Sequence, residues 1–367
     1  MNNNIIRYIL TVLAFAAAVF IIWYFRSIVV YILISAIVSL IGHPLVRLVT
    51  RIRIGRFQAP RALGAAVTLV LFWIVIFTFF RLFIPLVAYE ATEFSNIDVQ
   101  KVSENLEEPL NKIQAWAGKL SPQAGNFDLK EYISEKIVTI VGISQVSNVF
   151  TFLAGTLGDI FIAFFSISFI TFFFLKDDRL FVNGLLLLLP SRYTERVRNV
   201  LSSIKKLLMR YFIGIITEVL LVMILVAVGQ MIVGLKFQHA VIIGLFAGIL
   251  NVIPYIGPVI GTVFGIAIGV ATNLHLDFYT ELLPMIGFMA IVFIAVQVID
   301  NVLFQPLIYS SSVNAHPLEI FLVIMIAGSF AGIKGMILAI PSYTVIRVIA
   351  KEFFNQFRVV KKLTENI

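Results

Sequence analysis

"GLFAGILNVIPYIGPVIG" occupies Gly244–Gly261. It is apolar almost throughout, yet Asn251, Pro254, Gly257 and Pro258 interrupt it. The surrounding stretch, 237–276, runs for 40 residues without an Asp, Glu, Lys or Arg. A helix needs roughly 20 apolar residues to cross a bilayer core of about 30 Å. The tract is therefore two apolar arms joined at "NVIPYIGP". The first arm, 237–250, extends roughly 21 Å at 1.5 Å per residue, short of the core thickness.

Two readings of the break stay open. One is a pair of ordinary spans joined by a surface turn. A turn of that kind usually carries charge, and this one carries none. The preferred reading is a re-entrant or broken helix whose tip stops inside the membrane. Pro254 and Pro258 lack N–H donors, so unwinding beside them frees carbonyls. Free carbonyls at that depth are tolerated only inside protein or against a water-filled cavity.

Composition supports a lipid setting. The chain has 367 residues, 60% hydrophobic and 13% charged, against about 25% charged in soluble domains. Charge-free runs separate Arg7 from Arg26, Arg26 from Arg47 and Arg61 from Arg81, with 18, 20 and 19 intervening residues. The fold class is thus all-α, a polytopic helical membrane protein. A β-barrel would alternate in segments of about 10 residues. The apolar run Tyr8–Phe25 passes straight into a second span, with no small-residue cleavage site, and reads as a retained helix.

Charge is distributed as a topology signal. The stretch 47–61 holds five Arg and no acid, and 176–210 holds eight Lys/Arg against three acids. The segment 90–148 holds five Lys against nine acids. Cytoplasmic loops accumulate Lys and Arg, which places 47–61, 176–210 and both termini in the cytoplasm and 90–148 outside. The net charge of +8 is spent on this asymmetry and points to no nucleic acid partner. Five regions follow: transmembrane helices 1–89; a two-helix extracytoplasmic insert 90–148; a span and a basic amphipathic interfacial helix 149–210; a core 211–350; and a cytoplasmic tail 351–367. In the insert, Val99, Val102, Leu106, Leu110 and Ile113 recur at helical spacing, and a second helix starts at Asp128.

A second break follows Asp300. Residues 320–333 and 335–346 are uncharged arms on either side of Lys334. The order span, hairpin (237–276), span, hairpin (318–346) suggests an inverted repeat, and "FAGI" recurs at 246–249 and 330–333. Broken helices of this kind present bare backbone groups to a solute near the midplane.

These motifs resemble a family. "GLFAGILNVIPYIGPVIG", "DNVLFQPLIYSSSVNAHPLEIFLVIMIAGSFAGIKGMILAIP" and "FFFLKDDR" are similar to the signatures of the AI-2E, or PerM-like, permeases. The resemblance covers nearly the whole chain. It implies about eight membrane segments, a bacterial inner-membrane location and a homo-oligomeric ring, a pentamer. It also implies export of the furanone autoinducer-2 or, in some members, sodium/proton antiport. One departure stands out. The family's Gly-Gln at the start of the fifth membrane helix is Gly214-Ile215 here, with Glu218 one turn on. A role for that Gln does not carry over.

The residues expected to line a transport pathway are Glu218, Asn251, Pro254, Tyr255, Gly257, Pro258, Asp300, Asn301, Gln305, Pro306 and Lys334. Intramembrane acids are functional hypotheses by default. Glu218 could equally be a snorkelling or subunit-contact residue. Asp300 could be an interfacial cap, Asn251 a helix C-cap and Lys334 a loop charge. Gln305 and Pro306 are expected to open an irregular segment. The chain has no Cys, its four His lack metal-ligand spacing, and it carries no nucleotide-binding or hydrolytic motif. No cofactor, metal or catalytic residue is expected. The function read from the sequence is passage of a small polar molecule, with cation/proton exchange and a non-transporting scaffold as alternatives.

Overall fold

The computed structural model describes residues 23–51, 57–95, 144–177, 179–187, 190–312 and 315–355, with isolated positions at 13, 16, 17, 20, 21, 53, 54, 111, 112, 357 and 360. Most of the first expected span, the bulk of the 90–148 insert (96–110 and 113–143) and nearly all of the tail lie outside the described residues.

Ten α-helices follow in order among the described residues. They are α1 (Arg26–Arg51), α2 (Arg61–Ser95), α3 (Ser144–Lys176), α4 (Leu180–Leu187), α5 (Thr194–Val233), α6 (Phe237–Leu250), α7 (Ile256–Thr272), α8 (Leu283–Ile299), α9 (Gln305–Ser312) and α10 (Pro317–Phe354). Two π-helical stretches, Phe278–Leu282 and Asp300–Phe304, flank α8. In the Arg-rich segment, Arg53–Ile54 (β1) pairs antiparallel with Phe57–Gln58 (β2). Among the described residues, six helical stretches are long and apolar enough to cross a membrane when α10 is taken end to end, and α6 and α7 are shorter apolar helices. Large apolar side chains face outward, among them Phe77 (68% exposed), Phe161 (68%) and Ile232 (81%). A surface of that composition needs lipid as its solvent. The chain is a multi-pass, all-α membrane protein.

The chain forms two compact units, 1–75 with 153–205, and 76–152 with 206–367. In the first, Val46, Ala65 and Leu175 form a small core, and Gly42 lets Thr68, Phe72 and Leu175 close in. The Ser35 hydroxyl donates to the Ile167 carbonyl at 3.1 Å, joining α1 to α3. The His43 ring pairs through Nδ1 with the Ser39 carbonyl at 2.6 Å, and the Lys205 ammonium lies 3.2 Å from Nε2.

The second unit holds both sequence breaks. α6 ends at Leu250, and α7 starts after Tyr255. Tyr255 has φ +66°, a left-handed conformation that costs a non-glycine residue roughly 1–2 kcal/mol. Its ring meets Phe321 edge-on at 5.3 Å between centroids. α6 and α7 then pack antiparallel. Gly257 lies against the Leu250 carbonyl, Gly261 against Ala247 and Gly265 against Ile243.

α10 is likewise a hairpin rather than a rod. Ala331 (φ −135°, ψ 17°) and Gly332 (φ +56°, ψ −143°) leave helical geometry, and only glycine adopts the latter readily. Gly335 backs onto Ala327 and Gly328 onto Met336. The Tyr343 hydroxyl donates to Glu319 Oε2 at 3.1 Å, across 24 residues that a straight helix would spread over roughly 36 Å. The second expected hairpin is therefore present, but it turns at Ala331–Gly332, just before Lys334. The repeated "FAGI" falls at both turns: 246–249 is the last turn of α6, and 330–333 is the reversal in α10.

Two further expectations need correction. The basic stretch 191–212 is not a separate helix, because α5 runs unbroken from Thr194 to Val233. Nothing between Leu208 and Ile213 breaks a helix. Gln305 and Pro306 do not open an irregular segment either. They begin α9, and the irregularity is the π-helical turn before them. Near the entry to α8, Asp277 Oδ1 accepts from the Thr280 and Tyr279 amides at 2.8 and 3.1 Å. These bonds, Thr280's foremost, hold its carboxyl below the usual range.

Candidate functional site

Helix register sets the site. α6 lies antiparallel on α5, with Gly248 against the Val219 carbonyl and Met223, and Gly244 against Met223 and Ala227. The tip after Leu250 therefore arrives beside Glu218. α8 and α9 also run antiparallel to α5, since Gly229 meets Val292 and Gly214 meets Ile308. That register delivers Asp300 to the same level.

Asn251 joins the two acids. Its Nδ2 donates to Glu218 Oε1 and to Asp300 Oδ2, each at 3.3 Å. Gln305 Nε2 donates to Asp300 Oδ2 at 2.9 Å. In an α-helix, residues five apart point about 140° away from each other. The π-helical turn, closed by the Gln305 amide on the Asp300 carbonyl, brings the two side chains together. Such turns are rare and recur at functional sites. Glu218 is 5% exposed and Asp300 1%. Asp300 Oδ1 is buried without a hydrogen-bond partner. A cleft lined by Tyr211, Ile215, Glu218, Val219, Asn251, Val252 and Pro254 opens onto the cluster, with room for about one water molecule.

Of the residues expected from sequence, Glu218, Asn251, Asp300 and Gln305 converge, and Pro254 borders them. Asp300 is buried rather than an interfacial cap. Asn251 sits at the C-cap of α6, but its side chain serves the carboxylates rather than local backbone. Gly257 packs under the turn, and half-buried Pro258 accepts from Thr262 Oγ1 at 2.8 Å within α7. Tyr255 is exposed. Asn301 is exposed and accepts from Gln297 at 3.0 Å. Pro306 and Lys334 are exposed. Among the described residues, no three His, Asp or Glu side chains are grouped to hold a metal ion.

Two features escaped the sequence reading. Tyr211, 4% exposed, forms a wall of the cleft, and only its position two turns before Glu218 hinted at that. Gly257, Gly261, Gly265 and Gly269 recur every fourth residue on the buried side of α7, and Gly244 and Gly248 do so on α6. This small-residue spacing was visible and marks close helix packing in membranes.

A multi-pass helical bundle with buried carboxylates gathered at a helical hairpin's tip has the build of a membrane transporter. The chain belongs to the AI-2E family of transporters, whose signature it matches over residues 9–355. It is similar to three Bacillus subtilis (strain 168) proteins. It is 29% identical to "Putative transport protein YueF" over 341 residues, 90% of this chain and 84% of that protein. It is 27% identical to "Putative transport protein YrrI" over 195 residues, covering 53% and 52% of the two chains. With "Putative transport protein YtvI" the identity is 28% over 176 residues, covering 48% and 44%.

Proposed function

We propose that this protein is a transporter rather than an enzyme, and that it passes a small polar solute such as autoinducer-2 across the bacterial cell membrane at the Glu218–Asn251–Asp300–Gln305 cluster. One observation carries this reading: two buried carboxylates meet the tip of a hairpin that has no charged residue in either arm. The tip ends level with Glu218, eight residues and roughly 12 Å along α5 from Arg210. That supports a re-entrant tip within the bilayer. A polyhydroxylated solute finds acceptors on the acids and both donors and acceptors on the two amides. Relative motion of the two hairpins would expose the site to each side in turn.

Exchange of a monovalent cation for a proton is the second reading, and the paired carboxylates favour it. Both acids face the one Asn251 amide, an arrangement that a small cation between them would complete. The unbonded Asp300 Oδ1 is a ready ligand. We further propose a homo-oligomer, a pentamer by family likeness, with cytoplasmic termini and an extracytoplasmic 90–148 segment.

Flux in proteoliposomes, with a panel of solutes and with or without imposed sodium and proton gradients, tests these readings. Cation exchange predicts that Glu218→Gln and Asp300→Asn each abolish flux. Export of a neutral solute predicts loss for one change and survival of gradient-independent flux for the other. Absence of any flux from wild-type protein would support a scaffold instead.

A further inference from the structure

Gln230 lies on α5 three turns beyond Glu218. Its side chain is fully buried, and neither its amide nitrogen nor its amide oxygen has a hydrogen-bond partner. Buried polar groups are overwhelmingly bonded, so an amide left open at both ends needs a reason. An apolar side chain of similar length would pack there without that penalty.

Its place in the helix suggests the reason. Glu218, Val222, Val226 and Gln230 follow one ridge of α5 at four-residue steps. On α8, the buried residues Met289, Phe293 and Val296 lead to Asp300. Val222, Val226, Met289, Phe293 and Val296 belong to one packed cluster, and Gly229 sets the register by lying on Val292. The α5–α8 seam thus has polar groups at both ends, roughly 18 Å apart along the helix. Two buried valines, 5% and 1% exposed, stand between them.

We propose that Gln230 is a second polar contact on the solute route, at the far end of this seam, and that it takes an uncharged hydrogen-bonding group such as a solute hydroxyl. The proposal rests on the reading that the Glu218/Asp300 cluster lines the route. A primary amide offers both a donor and an acceptor and no charge, which matches a hydroxyl and is poor for a bare cation. Val222 and Val226 form the closed, apolar stretch that a passing solute must part.

The test uses full-length protein. In Gln230→Met the unbonded amide is gone, so the unfolding temperature in detergent should rise by a few degrees. Erythritol flux in proteoliposomes should nevertheless fall at least tenfold, with sodium flux less affected. Separately, Gln230→Cys in this cysteine-free chain should react with 2-aminoethyl methanethiosulfonate at least ten times faster than Ile268→Cys, which sits in the fully buried apolar core. Raised stability with unchanged solute flux would make Gln230 a passenger and overturn the proposal. Labelling as slow as at position 268 would overturn it too. Loss of sodium flux alone would overturn the neutral-group assignment. If wild-type protein carries no solute and Glu218→Gln has no effect, the transport reading of the cluster fails, and labelling at 230 still decides whether water reaches this position.

Discussion

Replacing Gly248 by alanine tests the seating of the α6–α7 hairpin. A Cβ built at Gly248 falls 2.6 Å from the Val219 carbonyl oxygen and 3.0 Å from Met223 Cβ, whereas ordinary contact begins at 3.4 Å. The nearer partner is backbone in the middle of α5 and cannot swing aside. α6 must therefore withdraw by about 0.8 Å, the difference between those distances. Asn251 lies one turn further on, and its two bonds already span 3.3 Å. A shift of that size takes both beyond hydrogen-bonding reach. Overpacking of this kind costs about 1–3 kcal/mol. Losing the amide that two carboxylates share adds about 1–3 kcal/mol. Gly287→Ala is the matched control, because a Cβ there meets nothing within 4 Å and alanine favours a helix over glycine by about 1 kcal/mol. Thermal unfolding in detergent and flux in proteoliposomes should separate the pair: Gly248→Ala less stable and at least tenfold slower, Gly287→Ala unchanged or steadier with normal flux. Equal behaviour of the two variants would refute the close seating of α6 on α5 and the dependence of the cluster on it.

Pro254→Ala with Pro258→Ala should let α6 grow toward α7 and swing Asn251 off the acids, lowering flux sharply at normal expression. Retained flux in the double variant would return "NVIPYIGP" to an ordinary turn. A single cysteine at position 112 should react with an impermeant thiol reagent on intact cells, and labelling only after permeabilisation would reverse the topology. The protein should run as a homo-oligomer in mild detergent, and an active monomer by mass measurement would contradict that. Asp277 caps the entry to α8 with a carboxyl held below its usual range. Its stabilising contribution is present above the unfolded carboxyl value and is lost as pH falls through the depressed folded value. Asp277→Asn should therefore flatten the acid side of the thermal-stability profile, and an unaltered profile would remove the cap from the account.

The readable part of this fold was written in charge spacing and in proline. Runs without Asp, Glu, Lys or Arg delimited the spans, because an unpaired charge in hydrocarbon is costly. Pro254 and Gly332 sit at the two reversals, where backbone chemistry is local. Glu218, Asn251, Asp300 and Gln305 could each be named as polar residues out of place, but not their meeting. That depends on how far α6 sinks against α5, which Gly244 and Gly248 set, and on the π-helical turn that redirects Gln305. Gln230 escaped notice because a glutamine in an apolar helix looks mild until its surroundings offer no partner. The continuity of α5 was hidden as well. A basic stretch ahead of an apolar one reads as two elements, although no residue between them ends a helix.

The arms of the α6–α7 hairpin, 14 and 17 residues long, also constrain how the protein is made. Neither arm alone matches the thickness that holds a nascent segment across the bilayer, and the turn between them carries no charge to hold it on one side, Lys236 at the start of α6 being the near charge. A ribosome that has released α6 but not α7 leaves a segment with no stable address in the membrane. The pair must enter together, against an α5 already in place, with the glycine faces as its docking edge. A chain stopped after Leu250 should therefore leave α6 open to extraction and proteolysis, whereas one stopped after Leu276 should keep it. Synthesis order is thus part of how the acids come to share one amide.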